Sequence, residues 1–130
     1  MRSAVIVSTA RTPIGRAYRG GFNNTPAPTL AAHSIKAAVE RAGIDGAEVD
    51  DVVFGCALQQ GHQAGNIART SLLRAGLPVT VSGMSVDRQC ASGLMAIAIR
   101  PDAHWRSTDM PETVTGSPAR SSDVRAMLPA

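Results

Sequence analysis

Aromatic residues are scarce: one Trp, one Tyr and two Phe in 130 residues. Proteins that hold single-stranded nucleic acid interleave basic side chains with aromatic ones that stack on the bases. Here the 13 Lys and Arg are spread along the chain, and the formal net charge is only +3. Nucleic-acid binding is therefore not expected, despite a pI near 9.5. Cysteine is rare too. Cys56 and Cys90 are too few for a disulfide framework, and neither lies in a CxxC pair or a His/Cys cluster. Spacing excludes a structural zinc site, and no metal is expected. Two reduced thiols fit a cytoplasmic protein. No apolar run approaches the ~20 residues that span a bilayer. The opening MRSAVIVSTARTP has an apolar stretch too short for a secretory signal, so neither leader nor membrane segment is expected.

What remains is the composition of a chain with a core: 44% hydrophobic, 18% charged, mean hydropathy zero. It is distributed unevenly. Residues 1–100 hold all seven isoleucines, whereas residues 101–130 hold none, together with four of the eight prolines. The second segment shows neither the period of a strand nor that of a helix. It has too little apolar surface to offset the entropy of ordering it. An irregular or disordered tail is expected over 101–130.

The first hundred residues alternate strand and helix signals. Ala4–Ser8 is a short β-branched run and reads as a buried strand. A long loop with three glycines and three prolines follows, Arg11–Pro28. Thr29 then caps a helix over Leu30–Ala42, with Leu30, Ser34, Ile35, Ala38, Val39 and Ala42 inward, and Gly43 stops it. Asp51–Ala57 reads as a second strand. Asn66 caps a second helix, Ile67–Ala75, ended by Gly76 and Pro78. Ser82–Val86 is a third strand. A third helix begins near Ala91 and carries Leu94, Met95, Ile97 and Ala98. Strands alternating with helices imply crossover connections and a mostly parallel sheet, so the fold class is α/β, a βαβαβα start.

Chemistry concentrates around Cys90. In Val86-Asp87-Arg88-Gln89-Cys90-Ala91-Ser92-Gly93-Leu94 a strand ends and an apolar helix begins just beyond the thiol. Free N–H groups and the positive end of the helix dipole stabilise a thiolate there. The same N–H groups can hold an oxyanion during attack on a thioester carbonyl, and small neighbours let a substrate approach. The layout is that of a nucleophile elbow. A small buried core residue is the alternative reading of Cys90. Cys56, inside VVFGCA, reads as a core thiol. His62, in a polar loop, is a possible base for Cys90, although loop histidines are usually solvated. His33 reads as a helix-surface residue, and His104 has no role. Arg88 is a possible charge partner for the thiol. The loop with Gly15, Gly20 and Gly21 matches neither GxGxxG nor GxxxxGK[ST], so no nucleotide cradle is expected.

Several segments in order resemble one family. Ala10-Arg11-Thr12-Pro13-Ile14-Gly15, Val53-Phe54-Gly55 with Gln60-Gly61, Gly65-Asn66-Ile67-Ala68-Arg69, Ala75-Gly76-Leu77-Pro78 and the Cys90 segment are similar to the N-terminal part of thiolases. The resemblance implies a partial thiolase-type layered domain over 1–100 and a tail, 101–130, unlike the family. It implies an acyltransferase working between CoA thioesters, with Cys90 the nucleophile that becomes an acyl-thioester. Acyl-CoA and CoA are then the substrates, with no tightly bound cofactor and no residue assigned to hold CoA. The family's activating histidine lies in a Gly-His-Pro segment and its second cysteine in a Cys-x-Gly segment; neither occurs in this sequence. The competing expectation is a non-catalytic truncated fragment lacking the C-terminal catalytic half. A small redox thiol protein is disfavoured by the lack of CxxC.

The resemblance also implies a homo-oligomer, because the family pairs the strand before the nucleophile with its counterpart in a second subunit. In this chain that strand is Ser82–Val86, and an unpaired edge templates such pairing. The purified chain is expected to associate at micromolar concentration. Light scattering that shows a compact monomer would count against this.

Overall fold

The computed structural model describes residues 4–99, 113–116 and 123–129, the last two segments by their backbone. The elements are strand β1 (Ala4–Arg11), helix α1 (Ala27–Ala42), strand β2 (Asp51–Gly55), helix α2 (Ile67–Ala75), strand β3 (Ser82–Val86), helix α3 (Ser92–Ile99), and strands β4 (Thr113–Gly116) and β5 (Asp123–Pro129). The five strands form one sheet in the order β1-β5-β4-β2-β3. β3 and β4 run parallel to β2, β5 runs against β4, and β1 runs against β5. Four strands thus share one direction and β5 opposes them. The expected α/β class is what the structure has, whereas the sheet is mixed rather than mostly parallel: β5, inserted between β1 and β4, makes two of the four pairings antiparallel.

Strand register decides which helix covers which face. Gly83 faces α2, since a Cβ there would lie 2.9 Å from the Arg69 backbone nitrogen. Val52 pairs with Gly83 and Phe54 with Ser85, so both share that face. They join Ile35, Ala38 and Val39 of α1 and Ile67, Ala68 and Leu72 of α2 in one core cluster. Gly55 faces the other way, onto the Ser92–Gly93 backbone of α3. The described chain is therefore a three-layer arrangement, with α1 and α2 on one side of the sheet and α3 on the other.

Local signals set the helix limits. In α1, Ala31, Ser34, Ile35, Ala38 and Val39 are buried, the i, i+3, i+4, i+7, i+8 stripe of a helix covering a core. Gly43, at φ 70°, ends it in the left-handed conformation. The start differs from the sequence reading. Pro26 is the N-cap and the helix begins at Ala27, with Pro28 in the first turn, where its missing N–H costs nothing. Thr29 lies inside that turn, its N–H donating to the Pro26 carbonyl at 2.9 Å. α2 matches the reading at both ends. The Asn66 side chain accepts from the Arg69 N–H at 3.1 Å, and Gly76 takes φ 89°.

Polar contacts fasten α2 to β3. Asn66 Nδ2 donates to the Gly83 carbonyl at 2.7 Å, and Ser85 Oγ donates to Asn66 Oδ1 at 3.0 Å. The Arg69 guanidinium donates to the Val79 carbonyl at 2.9 Å and also to that of Val81. β3 is an edge of the sheet, paired on one side with β2.

Two other expectations are corrected. β1 is not a buried strand: it lies at the opposite edge, with Val5, Ile6 and Val7 exposed and, among its residues 5–11, only Ser8 and Ala10 buried. A β-branched run reports strand propensity, and the burial of its faces depends on what the rest of the chain lays over them. The tail 101–130 is not irregular throughout. Residues 113–116 and 123–129 form β4 and β5, which fill the sheet between β1 and β2. Thr-Val-Thr has strand propensity but is too short to show a period, and it gains its hydrogen bonds from the neighbouring edge of β2. In α3 the buried residues are Ser92 and Ala96, whereas Leu94 is 69% exposed. A helix apolar all round carries no stripe from which to read an inner face.

Phe54, the largest of the fully buried side chains, is the keystone of the α1–α2 face. Phe54→Ala is expected to lower the unfolding free energy by about 3–5 kcal/mol, while exposed His33→Ala stays within about 0.5 kcal/mol. Urea unfolding of the two variants checks this, and a change under about 1 kcal/mol for Phe54→Ala would place that ring outside the core.

Candidate functional site

β2 and β3 are parallel neighbours, so their carboxyl ends emerge side by side. Gly55 pairs with Val86, and one rung further the Cys56 N–H donates to the Val86 carbonyl at 2.9 Å. In open α/β sheets this end is where loops assemble sites. Here two cysteine-bearing segments leave it, 56–66 after β2 and 87–91 after β3.

The second segment is a tight turn. Asp87 Oδ1 accepts the Gln89 N–H at 2.8 Å, the local bond that short carboxylates favour in turns. Gln89 takes φ +49°, a conformation uncommon for a residue with a side chain. It costs about 1–3 kcal/mol and persists where surrounding structure enforces it. The chain then forms a 3₁₀ turn over Gln89–Ala91, and α3 starts at Ser92. The Ala91 N–H donates to the Arg88 carbonyl at 3.0 Å, and the Ser92 N–H donates to that of Gln89. The Arg88 N–H donates to Ser92 Oγ at 2.9 Å. Among the described residues, the Cys90 N–H is left as the one amide of residues 88–92 not engaged by another group.

Cys90 is exposed in this turn and Cys56 is buried. The Cys56 thiol donates to Gln63 Oε1 at 3.2 Å. Burial pushes it up from its ordinary range. A backbone hydrogen bond with Leu58 pulls it part of the way down, and the Asp87 carboxylate pushes it up again. The two thiols thus differ as the sequence suggested, one at a helix start and one in the core. Gly55 sets how close the two segments come: a Cβ there would lie 2.3 Å from the Ser92 carbonyl carbon.

Of the other candidates, His62 lies exposed on the 3₁₀ turn Gly61–Gln63, and the residue of that turn that reaches into the domain is Gln63. Arg88 enters the site through its backbone. His33 is exposed on α1, as expected. His104 lies outside the described residues. Among the described residues no group of three or more His, Cys, Asp or Glu is placed to hold a metal ion. Nor is any described helix long and apolar enough to cross a membrane. Sequence reasoning passed over Asp87, Ser92 and Gly55 as parts of the turn. The Asp two residues before Gln89 was a readable signal, whereas the contact of Gly55 with α3 spans distant parts of the chain and left none.

The fold and the turn together define a layered α/β domain that presents a thiol and a free amide at the carboxyl edge of its sheet. The family model described as the N-terminal domain of thiolase matches residues 4–103. The chain belongs to the thiolase family. It is 45% identical over 97 residues to a 3-ketoacyl-CoA thiolase of Saccharophagus degradans, covering 74% of this chain and 25% of that protein. It is 46% identical over 103 residues to an acetyl-CoA acetyltransferase of Escherichia coli, covering 79% and 26%. The crystal structure of the Bacillus anthracis acetyl-CoA acetyltransferase superposes with a TM-score of 0.71 at 40% identity, covering 76% of this chain and 25% of that one. The matched part spans about a quarter of the length of these relatives.

Environment predicts which thiol reacts. Brief iodoacetamide treatment of the folded chain is expected to label Cys90 and spare Cys56, and mass spectrometry reads the site. Because its folded value is raised, Cys56 adds stability at pH below the ordinary thiol range, and that stability is lost as pH rises through the raised value. Labelling of Cys56 should therefore appear only at alkaline pH. Equal labelling at neutral pH would refute the distinction.

Proposed function

We propose that this chain is the nucleophile-bearing part of a thiolase-type acyltransferase, which moves acyl groups between CoA thioesters through an acyl-enzyme on Cys90. The observation that carries the proposal is the turn itself: an exposed thiol, at the start of an apolar helix, beside an amide that no other group engages. The names of the relatives, 3-ketoacyl-CoA thiolase and acetyl-CoA acetyltransferase, supply the substrate class.

The chemistry follows from the groups present. The Cys90 sulfur attacks the thioester carbonyl as a thiolate, and a new carbon–sulfur bond forms as the carbonyl electrons move onto oxygen. The Cys90 N–H is a donor for that oxyanion. When the carbonyl re-forms, the bond to CoA breaks, the CoA thiolate leaves and the thiol's former proton neutralises it. The acyl group then passes to a second acceptor, CoA or an acetyl-CoA carbanion, which gives a ping-pong sequence. No tightly bound cofactor is needed for these steps, and acyl-CoA and CoA are the small-molecule partners. In the family the activating histidine and the second cysteine belong to Gly-His-Pro and Cys-x-Gly segments, which this sequence does not contain. Self-association through β3 belongs to the same reading.

A general base contributes about 10²–10⁴-fold, and catalytic groups that act as a unit fail together when one is missing. Acetyl-CoA is therefore expected to acetylate Cys90 slowly and once per chain, with no sustained cleavage of acetoacetyl-CoA by CoA. Intact-mass and peptide mass spectrometry, with Cys90→Ala as control, read the adduct. No adduct on Cys90, or an adduct on Cys56 instead, would overturn the proposal. Sustained turnover lost in Cys90→Ala would show that the chain supplies its own base.

A further inference from the structure

Ser92 is the first residue of α3 and is 2% exposed. A hydroxyl has one proton to donate and lone pairs with which to accept. Ser92 uses both on the turn that precedes Cys90. Its Oγ accepts the Arg88 N–H at 2.9 Å and donates to the Gln89 carbonyl at 2.6 Å. The first group belongs to the Asp87–Arg88 peptide and the second to the Gln89–Cys90 peptide, so they bracket the Arg88–Gln89 pair, whose second member has φ +49°. This hydroxyl therefore bridges across the unfavourable backbone conformation.

The Gln89 carbonyl matters for a further reason. It belongs to the same peptide plane as the Cys90 N–H. No peptide bond described here is cis. In a trans peptide the carbonyl and the N–H point in opposite directions. A hydroxyl that draws the Gln89 oxygen into the turn thereby aims the Cys90 N–H away from it. That amide is the one the turn leaves unengaged.

We propose that Ser92 is a positioning residue: by holding the Gln89 carbonyl, its hydroxyl aims the Cys90 amide at the oxyanion formed when Cys90 is acylated. The inference rests on the reading of Cys90 as the acylated group, and it names the part of the chain that orients the donor. Ser92 touches neither substrate nor the reacting sulfur in this role. Its effect passes through one peptide plane.

The prediction separates two reactions of one thiol. Acylation by p-nitrophenyl acetate passes through an oxyanion, whereas alkylation by iodoacetamide displaces iodide at a saturated carbon and forms none. Both are measured on Cys90 in the full chain, with Cys56 labelling as a monitor of folding. Ser92→Ala keeps the Ser92 N–H bond to Gln89, so the donor is loosened rather than deleted. Acylation is expected to slow about tenfold, less than the about 10²–10³-fold cost of deleting an oxyanion donor. Alkylation should change less than about twofold on the same reasoning, since no oxyanion forms. Ser92→Thr retains a hydroxyl and should restore acylation. Unchanged acylation in Ser92→Ala overturns the inference, as does an equal fall in both reactions, which would report loss of access to the thiol. Exposure of Cys56 in Ser92→Ala overturns it too, because the hydroxyl would then be holding the domain rather than the turn. A loss of acylation in Ser92→Thr with Cys56 protected has the same consequence. A chain that fails with acetyl-CoA yet shows the expected ratio with the two small reagents would refute the thiolase-type reading and leave the role of Ser92 standing.

Discussion

The site depends on how closely α3 can approach β2. At Gly55 no Cβ intervenes, and the Ser92–Gly93 backbone occupies the space one would take. This contact lays the helix start directly on the end of the strand. It forces the chain leaving β3 to reverse within residues 87–91, which is where the positive φ of Gln89 arises. Asp87 and Ser92 satisfy the amides that so tight a reversal would otherwise strand. The exposed thiol is thus the outcome of a packing constraint one layer below it.

One chemical group appears twice, and its surroundings give it two characters. Cys56 follows directly on β2, under the α1–α2 core, and its proton is committed to Gln63. Cys90 lies exposed at the opening of a helix, in a turn whose neighbouring amides are bonded to one another's carbonyls and side chains while its own is not. Both segments leave the same edge of the sheet, and the Asp87 carboxylate that shapes the Cys90 turn also raises the Cys56 thiol. That shared residue links the buried thiol to the exposed one.

Much of this was legible because it is encoded locally. Asn66 and Gly76 mark α2 to the residue, since a capping carboxamide and a left-handed glycine act within their own turn. Ser82–Val86 and the position of Cys90 at a helix start were legible for the same reason, and the family resemblance rested on such segments in order. The unreadable parts depend on neighbours distant in sequence. β1 looked buried because Val5, Ile6 and Val7 are apolar, yet its place at the sheet edge is decided by β5. β4 escaped because a four-residue strand carries too few residues to show alternation. Thr29 resembled a cap, but Pro26 and Pro28 had already set the backbone for α1. The two side-chain hydrogen bonds of Ser92 were hidden by its size: a small residue in a Cys-Ala-Ser-Gly run reads as room for substrate, not as a hydrogen-bonding staple.

The clamp between α2 and β3 fixes more than a distance. Arg69 holds the carbonyls of Val79 and Val81, and Asn66 holds that of Gly83, so every second residue entering the strand is anchored to one helix. Side chains in a strand alternate between faces, and sliding by one residue would exchange Met84 with Ser85. Such a slide would break three bonds to α2 at once. The free edge of β3 is therefore a ruler with a fixed zero: any strand that comes alongside it meets one sequence of donors and acceptors, and must choose its own alignment to suit.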